Sequence, residues 1–144
     1  ESRDANWISN NDIKDSIASS NAKHVLLIVD SCFSGSLMRG SGENKSVEKL
    51  TQRHLDRLKT KTTRLVITSG GNEYVADGIG EAKNSVFAEP LIRALNNNND
   101  VIRSIELFQR VQKYVVENAE QTPNHSAIHG TGHDGGEFLF FPKS

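Results

Sequence analysis

The 144 residues predict an α/β fold in which a mostly parallel sheet carries helices on both faces. Three observations lead to it. His24 to Asp30 is an aliphatic, β-branched run with no polar alternation, the pattern of a strand covered on both sides. Arg64 to Ser69 repeats that pattern and is closed by Gly70-Gly71, a pair that permits positive φ. The stretch between them is long enough to cross over and set the two strands parallel, right-handed by the usual rule.

The elements follow in order. Asn11-Asp12 can cap a short helix with Ile13 and Ile17 on one face, and Asn21 to Lys23 turn into the first strand. Beyond that strand, Ser34 to Lys45 is a Ser- and Gly-rich loop. It leads into an amphipathic helix over Ser46 to Leu58, where Val47, Leu50, Leu55 and Leu58 recur at three- and four-residue steps. The second strand completes a βαβ unit. Val86 to Leu95 puts Phe87, Leu91 and Leu95 on one helical stripe, with Pro90 compatible only in the first turn. After the polar loop Asn96 to Asp100, Ser104 caps a helix whose Phe108, Val111 and Val115 face inward. Pro123 ends that region, and Phe138 to Phe141 forms a last strand suited to a sheet edge or a docked terminus. A strand as apolar as Val25 to Val29 needs a neighbour on each side. The chain opens at Glu1 rather than Met, and the expectation is that an upstream segment completes the sheet, so that residues 1–144 are the carboxyl-terminal part of a single domain.

Composition excludes several classes. Lys and Arg total 17 against 18 Asp and Glu, a net charge of −1, so no basic surplus exists to neutralise phosphates and nucleic acid is not an expected partner. The apolar run Val25 to Val29 is far short of the ~20 residues that a membrane helix needs, so no membrane partner is expected. No charged and apolar leader pattern opens the chain. A lone cysteine, Cys32, forms no internal disulfide and fits a reducing compartment, which predicts a cytoplasmic location.

Cys32 is also the candidate for chemistry. Open α/β sheets bind ligands beyond the carboxyl ends of their strands, and the thiol stands there among small residues that let another chain approach. The alternative is a buried cysteine acting as a small hydrophobe. An aliphatic strand running into Asp30-Ser31-Cys32-Phe33-Ser34-Gly35 resembles the catalytic cysteine segment of the caspase-like cysteine peptidases, peptidase family C14, particularly the metacaspase and prokaryotic caspase-homologue branch. Ile67 to Asp77, ending in Ala76-Asp77, resembles the family's next strand and substrate-pocket loop. Asn84 to Ala88 with Leu91 to Leu95 resembles the helix that follows, and Gln121 to Pro123 with Glu137 to Phe140 the closing segment. The resemblance covers nearly the whole chain in the right order.

What it implies is a cysteine endopeptidase in which the Cys32 thiolate attacks the scissile carbonyl and a histidine acts as base and then as acid. Backbone N–H groups, that of Cys32 included, would hold the oxyanion. Asp30, two residues earlier on the strand, is aimed by period-two alternation to the side of Cys32 and can line the P1 pocket; capping the next turn is the alternative. In the metacaspase-like branch an acid at this place accompanies cleavage after Arg or Lys, through charge-assisted hydrogen bonds. Ser69 and Asp77 join Asp30 as substrate-binding residues, although Asp77-Gly78 also reads as a plain turn. No cofactor and no metal are expected. The partner is a protein or peptide with Arg or Lys at P1.

The family's histidine normally precedes the cysteine in a His-Gly segment. Here His24 opens the same strand, and at ~3.3 Å per residue it lies about 26 Å from the thiol, out of reach of it. The base is therefore expected from an upstream chain or segment of the same protein; the alternative is a catalytically silent caspase-like interaction module. His125, His129 and His133 share a four-residue spacing, but Gly130, Gly132, Gly135 and Gly136 argue against a helix and no further ligand completes a zinc pattern. In family terms this stretch is a variable loop near the site. Residues 45–64 are rich in Lys and Arg, a solvated helix face, and a basic P1 preference makes Arg39 and Lys45 natural self-processing sites. Asp12, Asp15 and Asp56 are dispersed and form no calcium loop.

Overall fold

The computed structural model describes residues 8–32, 50–70 and 84–143. They form α1 (Asn10–Ala18), β1 (His24–Cys32), α2 (Gln52–Thr60), β2 (Thr63–Gly70), α3 (Ala88–Asn96), β3 (Ile102–Arg103), α4 (Ser104–Asn118), β4 (Asn124–Ala127) and β5 (Leu139–Phe140). The main sheet has the order β1-β2-β4, with β1 parallel and β4 antiparallel to β2, so among the described residues it is mixed. β3 and β5 pair separately.

Alternation along the two apolar runs sorts their side chains onto two faces. On one face, Ile67 packs with Val86 and Phe87 ahead of α3 and with Phe108, Val111 and Val115 of α4; Leu26 joins them. On the other, Val66 packs with Ile17 of α1 and with Ile128, alongside Val25, Leu27 and Val29. Helices thus cover both faces, as the sequence predicts. Each fully buried side chain of this kind, such as Phe87 or Val115, contributes roughly 1.5–3 kcal/mol. β2 is buried along its whole length. No described side chain of β1 is, and Ile28 is 37% exposed although its strand partner Ile67 is 1% exposed.

Local chemistry sets the ends. α1 starts two residues before the expected cap: Ser9 Oγ accepts the Asp12 N–H at 3.1 Å while the Asp12 carboxylate accepts the Ser9 N–H at 3.0 Å. Its far end is held by Arg64, whose buried guanidinium donates to the carbonyls of Ser20, Lys23 and Thr63. Thr51 caps α2, so Leu50 precedes that helix instead of lying on its apolar stripe. Pro90 is the third residue of α3, in the first turn, where a missing N–H leaves no intrahelical bond unmade. Ser104 is a correction. It is the first residue of α4, not its cap, and the Glu106 carboxylate instead reaches back to the Arg103 N–H at 2.8 Å.

β4 is the strand that the sequence does not announce. Asn124-His125-Ser126-Ala127 has no apolar alternation, yet it pairs from Thr68↔Asn124 to Leu65↔Ala127. The chain then continues along the amino end of the sheet, where the Ile128 N–H donates to Arg64 O at 2.9 Å and the Asp134 N–H to Thr62 O at 3.0 Å. β5 docks on β3 and not on the main sheet. Gly136 makes this wrap possible. A Cβ there would collide with Thr63 Oγ1 and lie 2.8 Å from Lys61 O. Gly136→Ala is expected to lower the unfolding free energy by about 1–3 kcal/mol in urea denaturation, because backbone as well as side chain must shift to admit the methyl group.

Candidate active site

Parallel pairing brings the carboxyl ends of β1 and β2 to one edge, where Cys32 lies opposite Gly70. Val29 pairs with Thr68, so β1 advances three residues while β2 advances two: a bulge falls at Asp30-Ser31. It interrupts the alternation from which the common orientation of Asp30 and Cys32 was expected, and it re-aims the residues just before the cysteine. Asp30 is exposed, and its Oδ2 accepts a short hydrogen bond from the Ser85 hydroxyl. Ser85 Oγ in turn accepts the Ala88 N–H at 2.9 Å, at the start of α3. Ser69 is fully buried; its hydroxyl points to Ser31 O at 3.5 Å, and its carbonyl accepts from the Gln121 side chain at 3.4 Å. Ser69 and Gln121 therefore brace the strand ends around the bulge. Asp77, Arg39, Lys45 and the side chain of Cys32 lie outside the described residues.

A family model of the caspase domain matches residues 2–132, nearly the whole chain. The chain belongs to this family. No curated protein and no solved structure gives a significant match. Membership gives this chain the fold of a caspase-like cysteine peptidase, a family that acts on protein substrates, and the α/β sheet with Cys32 at its carboxyl edge agrees with it. Among the described residues no helix is long and apolar enough to cross a membrane.

The histidines of this caspase domain are parted. His24 stands at the amino end of β1, with Nδ1 3.0 Å from Thr63 Oγ1 and Nε2 3.1 Å from Lys59 O, remote from Cys32 as its position in the sequence predicts. His133 Nδ1 accepts the Arg64 N–H at 3.0 Å, and His129 is exposed beside it. That is the opposite edge of the sheet from Cys32, six residues of strand or about 20 Å away. The expectation that residues 129–133 lie near the site is thus corrected: strand β4 runs antiparallel to β2 and carries them to the amino end. The cavity of about 300 Å³ lined by Ala127, Ile128, His129, Gly130, Gly132 and His133 lies at that remote edge. Among the described residues no three His, Cys, Asp or Glu converge on a metal position.

His125 belongs to a buried cluster of another kind. Ser104 Oγ donates a short hydrogen bond to Glu137 Oε1 and lies 2.9 Å from His125 Nε2, whose ring also packs 5.6 Å from that of Phe108. The residue types are those of a hydrolytic triad, but the order is wrong. The hydroxyl proton goes to the carboxylate, and Ser104 is fully buried. The cluster fastens the carboxyl-terminal segment to α4 and β4. Burial pushes the Glu137 carboxyl above the usual range, opposed by the hydrogen bonds of Ser104 and the Phe138 N–H and by the charge of Arg103, and reinforced by Glu106. Folded Glu137 keeps its proton to higher pH than the unfolded chain does, so the folded state binds more protons in that window. Stability therefore falls as pH rises from the ordinary carboxylate range through the raised value. Glu137→Gln is expected to flatten this decline, read as unfolding free energy against pH beside the wild type.

Proposed function

We propose that this caspase domain is an endopeptidase that cleaves after Arg or Lys, with Cys32 as nucleophile and Asp30 as the acid that receives the P1 cation. The observation that carries the reading is an exposed carboxylate on the bulge two residues before a cysteine at the carboxyl edge of the sheet. A carboxylate and a cationic side chain make strong, short hydrogen bonds that a P1 Asp would replace with repulsion. Asp77 is proposed as a second acid of the pocket. Ser69 supports it by fixing the Ser31 carbonyl.

The catalytic base is proposed to come from an upstream segment of the same protein. β1 supports this, because among the described residues it pairs with β2 alone, while its apolar side chains have the pattern of an interior strand. A parallel strand along that edge would cover Ile28 and deliver its own carboxyl end beside Cys32. The reaction then runs in two halves. The imidazole takes the thiol proton, the thiolate adds to the scissile carbonyl, and backbone N–H groups stabilise the oxyanion. Collapse breaks the C–N bond, the imidazolium protonates the leaving amine, and water hydrolyses the thioester, regenerating the thiol. Arg39 and Lys45, after the nucleophile, are proposed self-processing sites, and a free thiol nucleophile suits the reducing cytoplasm.

The test uses the full-length protein, upstream segment included, with fluorogenic reporters bearing Arg, Lys or Asp at P1. Arg and Lys reporters are expected to turn over and the Asp reporter not. Cys32→Ala is expected to abolish turnover, and Asp30→Asn to lower kcat/KM on the Arg reporter by about 10–100-fold, mainly through KM. Intact-mass analysis of active enzyme should show cuts between Leu37 and Lys61. Preference for P1 Asp would overturn the specificity. No turnover at all would favour the silent interaction module, a reading supported by the remoteness of His24 and His133 from Cys32.

A further inference from the structure

We infer that Ser85 is a positioning residue for the P1 pocket: its hydroxyl sets the orientation of the Asp30 carboxylate and so links recognition of the substrate cation to the start of α3. This rests on the proposed role of Asp30. A serine hydroxyl has one proton and two lone pairs. The Ala88 N–H occupies a lone pair at 2.9 Å, and the proton goes to Asp30 Oδ2. That N–H is one of the donors a helix start leaves unmatched, so Ser85 cannot turn away from Asp30 without also uncapping α3.

The start of α3 is itself fixed. Val86 and Phe87, the two residues after Ser85, are 3% and 0% exposed and pack against Ile67 and α4. The other acid there, Glu89, is engaged by Asn84 and Arg93, each at 3.2 Å, which hold its carboxyl below the usual range. Asp30, by contrast, is exposed on a bulge, where an untethered side chain would sample several rotamers. A carboxylate already held in one of them loses less freedom on meeting a cation.

The experiment uses the full-length protein. Ser85→Ala is expected to raise KM for P1-Arg and P1-Lys reporters about five- to tenfold with kcat within about twofold, and Ser85→Thr, which keeps the hydroxyl, to restore the wild-type KM. Placed on Asp30→Asn, Ser85→Ala should change KM by less than about twofold. An equal rise of KM in both backgrounds would mean a merely structural cap and would overturn the inference. A readout independent of turnover is the χ1 rotamer of Asp30, from three-bond couplings: one rotamer in the wild type, averaged in Ser85→Ala. An unchanged Asp30 rotamer in Ser85→Ala sinks the positioning role whatever the activity, whereas a wild type inert to basic reporters sinks the proposed specificity and leaves the rotamer test to decide Ser85.

Discussion

Burial of β2 is the constraint on which the rest of the domain depends. All eight of its residues are buried, with a strand on each side and helices over both faces. Four of them, Thr63, Arg64, Thr68 and Ser69, are polar, so burying the strand requires that neighbours supply partners. Those partners organise the molecule. Arg64 takes the carbonyls after α1, Thr63 lies between His24 and the Glu137 carbonyl, and Ser69 reaches the bulge of β1. Matching is incomplete among the described residues, where Thr68 Oγ1, Asn124 Oδ1 and Arg64 Nε are buried without partners, each costing about 1–3 kcal/mol. Thr68 and Asn124 face each other across β2 and β4 near the end of the sheet that carries the cysteine, while Arg64 lies at the amino end.

The two ends of β2 have in consequence become chemically different. At the amino end, His24 and residues 128–137 close over the strand starts with backbone and imidazole hydrogen bonds. At the carboxyl end stand the bulge, an exposed carboxylate and Cys32. Open α/β sheets bind ligands at an end of the second kind for a geometric reason: parallel strands finish together there, and the connections that leave them surround a common opening. A cavity at the amino end is no substitute, however well outlined.

How much of this the sequence discloses depends on where each element draws its stability. β1, β2, α3 and α4 are packed through apolar side chains gathered in runs or helical stripes, and those patterns reveal them. β4 is held by its ladder to β2, and Asn124-His125-Ser126-Ala127 carries no side-chain pattern to betray it. The position of His133 was hidden for the same reason, because the antiparallel register of β4 decides to which edge the following loop goes. Ser104 looks like a cap, and its hydroxyl is taken instead by Glu137 and His125, distant in sequence. At the site, the cysteine and its preceding acid were legible as a short motif. The bulge between them was not, having no glycine to mark it, and neither was the contact of Asp30 with Ser85 across 55 positions.

β1 joins the buried sheet to the candidate site. An exposed apolar strand edge invites pairing with any other strand, a hazard that natural sheets limit with bulges and charges. β1 bears both, the bulge at Asp30-Ser31 and the Asp30 carboxylate, and both fall at its carboxyl end. The amino-terminal part of the strand, from Val25 to Val29, is left regular and apolar, which is what orderly pairing with a parallel neighbour requires. The irregular end is where such pairing has to stop so that a substrate can enter. The same two residues interrupt the ladder to β2, which resumes at Cys32 opposite Gly70, and carry the Asp30 carboxylate, so strand irregularity and the candidate acid coincide in the dipeptide before Cys32.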